Sequence, residues 1–492
     1  MTSDVPTADL SEGSASRPPN GIDGDDAMTA HNRVTLRVLT VAAFVVILNE
    51  TIMTNAIPQL MTVFSVTARE AQWLSTGFML TMAVVIPTTG WLLGRVGRRT
   101  SFRMAIGSFS VGTLISALAP TFEVLLAGRV VQAIGTAIMM PLLMSSVLSL
   151  VPKNERGRVM GNVSMAISVA PALGPAVSGV VLAFASWRWL FGLVMPVALL
   201  VLVLGYRLLE HEDGDRDGTL DLISVVLTAV GFGGVVYGLS TIGGDEHATL
   251  PPVPSLVVGA IAAGVFAWRQ VSLRRREKTP LLDLSVVRFT PYVVAIAITS
   301  LSFMALMGAV IVLPIHLQNN LGLTALQAGL VLMPGALLMG LLGPTVGSLY
   351  DRVGPRPLLI PGAVAFVVGL GLMAFGATWA PWPVFLVLHV IVSLALALVF
   401  TPTFTAGLGV LPSNLYGHGS ALLSTMQQVA AAAGTALVIT VMSARQAAVA
   451  ASGVPASTAL AQGVGAGLAV AAVLGSGAII GALLMRRPAA EV

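Results

Sequence analysis

Residues 87–99 read Pro-Thr-Thr-Gly-Trp-Leu-Leu-Gly-Arg-Val-Gly-Arg-Arg, and residues 344–356 read Pro-Thr-Val-Gly-Ser-Leu-Tyr-Asp-Arg-Val-Gly-Pro-Arg. A shift of 257 positions lays Pro87 on Pro344, Gly90 on Gly347 and Gly94-Arg95-Val96-Gly97 on Asp351-Arg352-Val353-Gly354. The same shift lays Thr67-Ala68-Arg69-Glu70-Ala71 on Thr324-Ala325-Leu326-Gln327-Ala328. Matches that keep one spacing mark a duplication. In an apolar helical chain, such parallel repeats lie about an axis along the membrane normal, with a site near the bilayer midplane between them.

The rest of the chain is apolar enough for this. Of 492 residues, 55% are hydrophobic and 10% charged, whereas a soluble domain carries about 25% charged residues. Long apolar runs, rather than alternating ten-residue segments, point to membrane-spanning helices and not a β-barrel. The chain has no Cys, which excludes disulfides and thiolate metal sites, and its six His are scattered. We expect no metal and no cofactor. A phosphate-cradling loop needs a Gly-Lys-Ser/Thr ending, but Lys153 follows Pro152 and Lys278 follows Glu277. No His-Glu-x-x-His or paired acids stand in a span, so an intramembrane enzyme is not expected. A channel would need a filter or a ring of charges. The run Arg274-Arg275-Arg276 reads as a topology signal, and no nucleic-acid partner is expected.

Apolar runs predict fourteen helices near 38–60, 72–94, 103–120, 124–150, 159–184, 188–206, 220–242, 253–272, 291–316, 327–349, 357–378, 383–410, 419–442 and 464–485. With this register, 21 of the 26 Lys and Arg fall on one side, so both termini are expected in the cytoplasm. Two six-helix bundles, 35–210 and 286–486, would flank an insert of two helices at 211–285. The acidic, Pro- and Gly-containing stretch 1–34 reads as a disordered cytoplasmic tail, and 487–492 as a cytoplasmic tail. The N-terminal stretch lacks the basic start and apolar run of a cleavable signal.

Only one acid is expected deep in a span. Glu50 stands in Leu48-Asn49-Glu50-Thr51-Ile52-Met53-Thr54-Asn55, about ten residues or ~15 Å from the expected outer end of helix 1. A carboxylate there is costly unless protonated, paired or hydrated, which suits it to carry a proton. Arg129 lies about 9 Å inside helix 4, with an axial offset from Glu50 that an extended guanidinium spans, so an ion pair between them is expected. Asn49, Met53, Asn55, Gln132, Met139, Met140, Phe303, Met307, Gln427 and Gln428 could line the cavity; unbranched Met and aromatic rings suit varied apolar substrates. In helix 5, Gly174, Ser178 and Gly179 permit close approach, and Pro171 and Pro175 would bend it into a hinge.

These residues resemble the major facilitator superfamily, and within it the fourteen-span drug:proton antiporters of the lincomycin-resistance-like branch. Gly90 through Arg99 looks like the loop 2–3 signature, Leu126 through Gly135 like the helix-4 motif, and Ala170 through Gly179 like the exporters' helix-5 motif. Ser186 through Phe191, Gly417 through Ala421, Gln427-Gln428 and Gly434 through Ala436 are similar to the fourteen-span branch. The resemblance spans about residues 35 to 485. It implies an all-α polytopic fold, a small-molecule substrate exchanged for protons, and a monomer in the bacterial cytoplasmic membrane. It also implies that Arg129 takes part in proton coupling, and that Gly90, Gly94, Arg95, Gly97, Arg98 and Arg99 form a gate with Asp351 and Arg352. Two departures stand out. Asn49 occupies the place of the family's helix-1 acid, with Glu50 one residue later, and Gly94 replaces the family's loop acid, which Asp351 retains. The expected activity is export of amphipathic drugs; export of an endogenous lipid or metabolite, or gradient-independent facilitation, is the alternative.

Overall fold

The computed structural model describes residues 28–53, 56–209, 220–242 and 250–485. The tail at 1–27, Asn55 and the C-terminal tail lie outside them. The described residues are helical, with no strand. In chain order the helices are α1 (Ala30–Ile52), α2 (Ile57–Phe64), α3 (Ala68–Val85), α4 (Thr89–Leu118), α5 (Phe122–Leu150), α6 (Arg156–Phe184), α7 (Arg188–Leu208) and α8 (Leu222–Thr241). They continue with α9 (Pro252–Arg275), α10 (Thr290–Asn319), α11 (Ala325–Val353), α12 (Arg356–Gly376), α13 (Trp382–Gly409), α14 (Tyr416–Ala450) and α15 (Ala456–Leu484). Among the described residues, twelve segments are long and apolar enough to cross a bilayer. One of these, Glu70–Leu118, runs through a break at Gly97.

Local chemistry corrects several expected boundaries. α1 begins at Ala30 because the Thr29 hydroxyl accepts from the Asn32 amide, a cap that an apolar-run reading ignores. It ends at Ile52 instead of running to 60. Proline at 58 has no N–H to give an unbroken helix, and a separate short helix, α2, follows. α14 and α15 each extend well beyond the expected runs, because their Ala-rich ends form helix without raising hydropathy.

The duplication is visible in the backbone. Thr67 and Glu70 form a capping box at the start of α3, and Thr324 and Gln327 form its counterpart at the start of α11. Gly97 (φ 72°, ψ 173°) and Gly354 (φ 80°, ψ −174°) make the same left-handed exit, which an L side chain would strain. Arg99 donates to the Tyr206 carbonyl at the end of α7, 2.7 Å away. Its repeat mate Arg356 donates to the Leu483 and Met485 carbonyls at the end of α15, each at 2.6 Å. Cations on the orphan carbonyls of a helix C-terminus offset its dipole.

α4 packs on α5 and α7, while α1 packs on α5, α6 and α7. In the second half, α10 packs on α13, α14 and α15, and α12 on α13 and α15. The pair α8–α9 lies against α3 and α14. It is pinned by Asp221, which accepts from Arg269 at 2.7 and 2.9 Å. Arg269 holds that carboxyl down to about 2, so the pair stays ionised at any physiological pH. The halves meet chiefly where α6 packs on α11 and α13, and where α14 packs on α4 and α5. Trp187 is buried against Phe64 and Phe191, whereas Trp189 and Trp379 are exposed.

Candidate functional site

A buried polar cluster crosses three helices of the first half. Arg129 Nη1 donates to Asn49 Oδ1 on α1 (3.1 Å) and to Gln132 Oε1 one turn along α5 (2.9 Å). Gln132 Nε2 donates to Thr113 Oγ1 on α4 at 2.7 Å. The guanidinium sits 4.2 Å from the Phe78 ring centroid, a cation–π contact that replaces part of its lost hydration. Arg129 and Asn49 are each only 1% exposed.

Glu50 stands one residue beyond Asn49, and one residue turns a helix by ~100°. Asn49 therefore takes the face toward α5, while Glu50 is turned away and stays partly exposed. No hydrogen bond or ion pair joins it to any described residue, Arg129 included, although the arginine's charge acts on it through space. The expected Glu50–Arg129 ion pair is thus corrected to an Asn49–Arg129 hydrogen bond. The next residue, Thr51, packs on Gly174 of α6, four residues or ~6 Å from that helix's central Ala170. Glu50 is at mid-depth in the bundle, though close to the end of α1 rather than ten residues inside it.

The other cavity candidates are dispersed. Met53 and Met139 are sealed in the hydrophobic core, and Gln132 belongs to the arginine cluster. Met140 is partly buried on α5, as is Met307 on α10. Phe303 packs on Phe400 at 5.2 Å within the second half. Gln427 and Gln428 are partly buried on α14, and Gln428 Nε2 reaches Met82 Sδ of the other half at 3.7 Å. Asn55 lies outside the described residues. His316 packs on Phe385.

At the arginine-rich end, Asp351 closes the contact between halves. Its two carboxylate oxygens accept from the Gly157 and Arg158 amides in the first turn of α6, at 2.8 and 2.9 Å. Negative charge on the free amides of a helix N-terminus is favoured by about 1 kcal/mol or more. Gly157 and Gly161 let α6 approach Gly347 and Gly343 of α11 backbone to backbone, and small residues four apart on both helices permit this approach. Arg156 adds a 3.3 Å bond to the Tyr416 hydroxyl. The contact continues inward to Val169 against Gly340. Nearer the opposite end, a side chain at Gly179 would meet open space. The side chain of Pro175 is outside the described ones, and Pro171 and Pro175 leave α6 a single continuous helix.

Gly94, the repeat mate of Asp351, has nothing within reach of an added Cβ. Two arginines near it make bonds within their own half. Arg98 donates to Ser149 Oγ at 2.9 Å and Arg99 caps α7. At Gly90 the partner is His418, whose Nδ1 accepts from the Asp283 amide in the segment after α9 at 3.2 Å. Sequence reasoning missed Phe78, Thr113 and the amides of Gly157 and Arg158. Only the last had a signal, the glycines at spacing four in α6 and α11.

A duplicated helical bundle with a buried charge cluster at mid-depth and a closed contact at one end has the form of a polytopic membrane transporter. The sequence profile of the Major Facilitator Superfamily matches residues 39–435, and the chain belongs to that family. Its members are transporters and not enzymes. It is 37% identical over 407 residues to the lincomycin resistance protein LmrB of Listeria monocytogenes, covering 83% of this chain and 86% of that one. It is 29% identical to a multidrug resistance protein B homolog of Mycobacterium tuberculosis, over 76% of this chain and 69% of that one. The solved proton:xylose symporter XylE shares the fold with a TM-score of 0.64 at 18% identity, covering 93% of this chain and 96% of that one. The first two relatives are named for lincomycin and multidrug resistance, and the likeness to XylE shows the fold alone.

Proposed function

We propose that this protein is a proton-coupled antiporter that exports amphipathic drugs or related lipophilic compounds across the bacterial cytoplasmic membrane. The observation that carries the reading is Glu50, a partly exposed acid at mid-depth that bonds to no described residue and stands beside a buried arginine. The 37% identity to a lincomycin resistance protein supports a drug as cargo. The chain would cross the membrane fourteen times, with bundles at 35–210 and 286–486, an insert at 211–285, a monomeric state and both termini in the cytoplasm. The arginine-rich end is then cytoplasmic, and the described conformation faces outward, with the cytoplasmic route closed by Asp351.

In the cycle, drug binds from the inside and the bundles rock to the outward state. Glu50 takes up a proton as the drug leaves, and its neutral carboxyl lowers the cost of returning past the apolar core. Arg129, fixed by Asn49 and Gln132, supplies a positive field that favours the anion until the proton arrives. Efflux of a fluorescent drug from cells expressing the protein tests the reading. Dissipating the proton gradient with an uncoupler is expected to abolish efflux; undiminished efflux would point to facilitation without coupling.

A further inference from the structure

A cleft of about 920 Å³ opens at the arginine-rich end between α1 and α6 of one half and α11 of the other. Nothing in the transport reading uses it. Its rim carries Arg33, Arg37 and Arg158 with Asn162, Thr345 and Ser348. Arg33 and Arg37, one turn apart on α1, are exposed. Their guanidinium groups make no hydrogen bond or ion pair with any described residue. Arg158 pairs with Glu155 at 2.9 Å, and its charge also acts on Asp351.

The lining changes character with depth. Arg33 and Arg37 lie within ~11 Å of the start of α1, whereas Val41 and Phe44 on the same face lie ~16 to 21 Å along it. On α6, Asn162 precedes Met165 and Val169, and on α11 Ser348 and Thr345 precede Leu341. All three helices therefore pass from cationic or polar to apolar in the same direction. This gradient fits a molecule with an anionic head and apolar chains lying along the membrane normal. A soluble anion would leave the apolar part unfilled, and a zwitterionic head would leave the arginines without net charge compensation. Basic pockets between spans at the membrane surface take such heads, each cation contributing about 1 kcal/mol.

We infer that this cleft binds an anionic phospholipid of the cytoplasmic leaflet, its phosphate at Arg33, Arg37 and Arg158 and its chains against Phe44, Val169 and Leu341. Arg158 links the site to the latch, because its backbone amide is held by Asp351 while its side chain faces the cleft. The site is complete only while α6 and α11 are together, so a bound lipid favours the state closed at this end. The leaflet assignment rests on the orientation proposed above. Lipid retention is read without transport, so failure here leaves that reading standing, and loss of drug export leaves lipid retention unchanged.

Native mass spectrometry of the purified full chain, titrated with phosphatidylglycerol or with phosphatidylcholine of the same chains, tests the inference. Phosphatidylglycerol is expected to be retained preferentially. The double substitution Arg33→Gln with Arg37→Gln should weaken that retention about 30-fold. Arg275→Gln, at the same end on α9 and outside the cleft, should not alter it, and thermal unfolding in phosphatidylcholine nanodiscs reports whether each variant is folded. Glycerol 3-phosphate, a head without chains, should not displace the lipid. Equal retention of the two lipids, unchanged retention by a folded double variant, or displacement by glycerol 3-phosphate at comparable concentration would each overturn it.

Discussion

The two halves share a backbone plan and divide the charged chemistry between them. The first half buries Arg129 beside Glu50 at mid-depth but has Gly94 where a latch acid would stand. The second half holds one acid between Asp283 and Glu491, namely Asp351, and uses it at the end of a helix on the amides of the opposite half. Duplication supplied two equivalent frames, and each retained a different charged task. On the proposed reading the cation field and proton site belong to one bundle and the closing contact to the other. Motion between bundles can then be biased at the latch without disturbing the Arg129 cluster.

The largest expected effect comes from breaking the first half's cluster. Arg129→Gln removes two charge-assisted hydrogen bonds and the contact with Phe78, stranding the buried Asn49. A loss of about 3 kcal/mol is expected in thermal or denaturant unfolding in nanodiscs, together with loss of drug efflux. Asp351→Asn comes next. It keeps the shape but loses the charge on the α6 amides, for about 1 to 2 kcal/mol, or roughly a 5- to 30-fold shift away from the closed state. Because the chain has no Cys, cysteines introduced at Asn162 and Ser348 provide a clean spin-label pair, whose distance distribution should broaden toward longer separations. The smallest effect comes from rebuilding the missing latch. Gly94→Asp enters open space, one residue beyond Leu93, which lies against Gly417 in the first turn of α14. It should favour the closed state by a few-fold and partly restore closure in the Asp351→Asn background, read by the same label pair.

Much of this architecture was legible in the sequence because the signals were local or periodic. Apolar runs located most helices, and the 257-residue shift predicted that Gly97 and Gly354 share a role, as their matching dihedrals bear out. The breaks and extensions of α1, α14 and α15 were not legible from hydropathy, because Pro58, the Thr29 cap and Ala-rich ends act through backbone chemistry. The mid-depth acid could be picked out as the exception to a polar-poor chain. Its relation to Arg129 could not. Axial offset along two helices said that Glu50 and Arg129 were within reach, but rotation about α1 decided that Asn49 would face the guanidinium. Phe78 and Thr113 depend on how α3 and α4 turn toward α5, which no single helix encodes. Asp351 was recognisable as the retained acid. That its partners are amides nearly two hundred residues away required the α6–α11 contact.

The central claim is that Glu50 exchanges protons with drug export. Proteoliposomes loaded with a pH-sensitive dye, given a drug gradient and no imposed pH difference, measure it directly. Wild-type protein should move protons opposite to the drug. Glu50→Gln, uncharged and nearly isosteric, should abolish that drug-dependent proton movement while drug binding persists. Proton movement of unchanged size in Glu50→Gln would contradict the account.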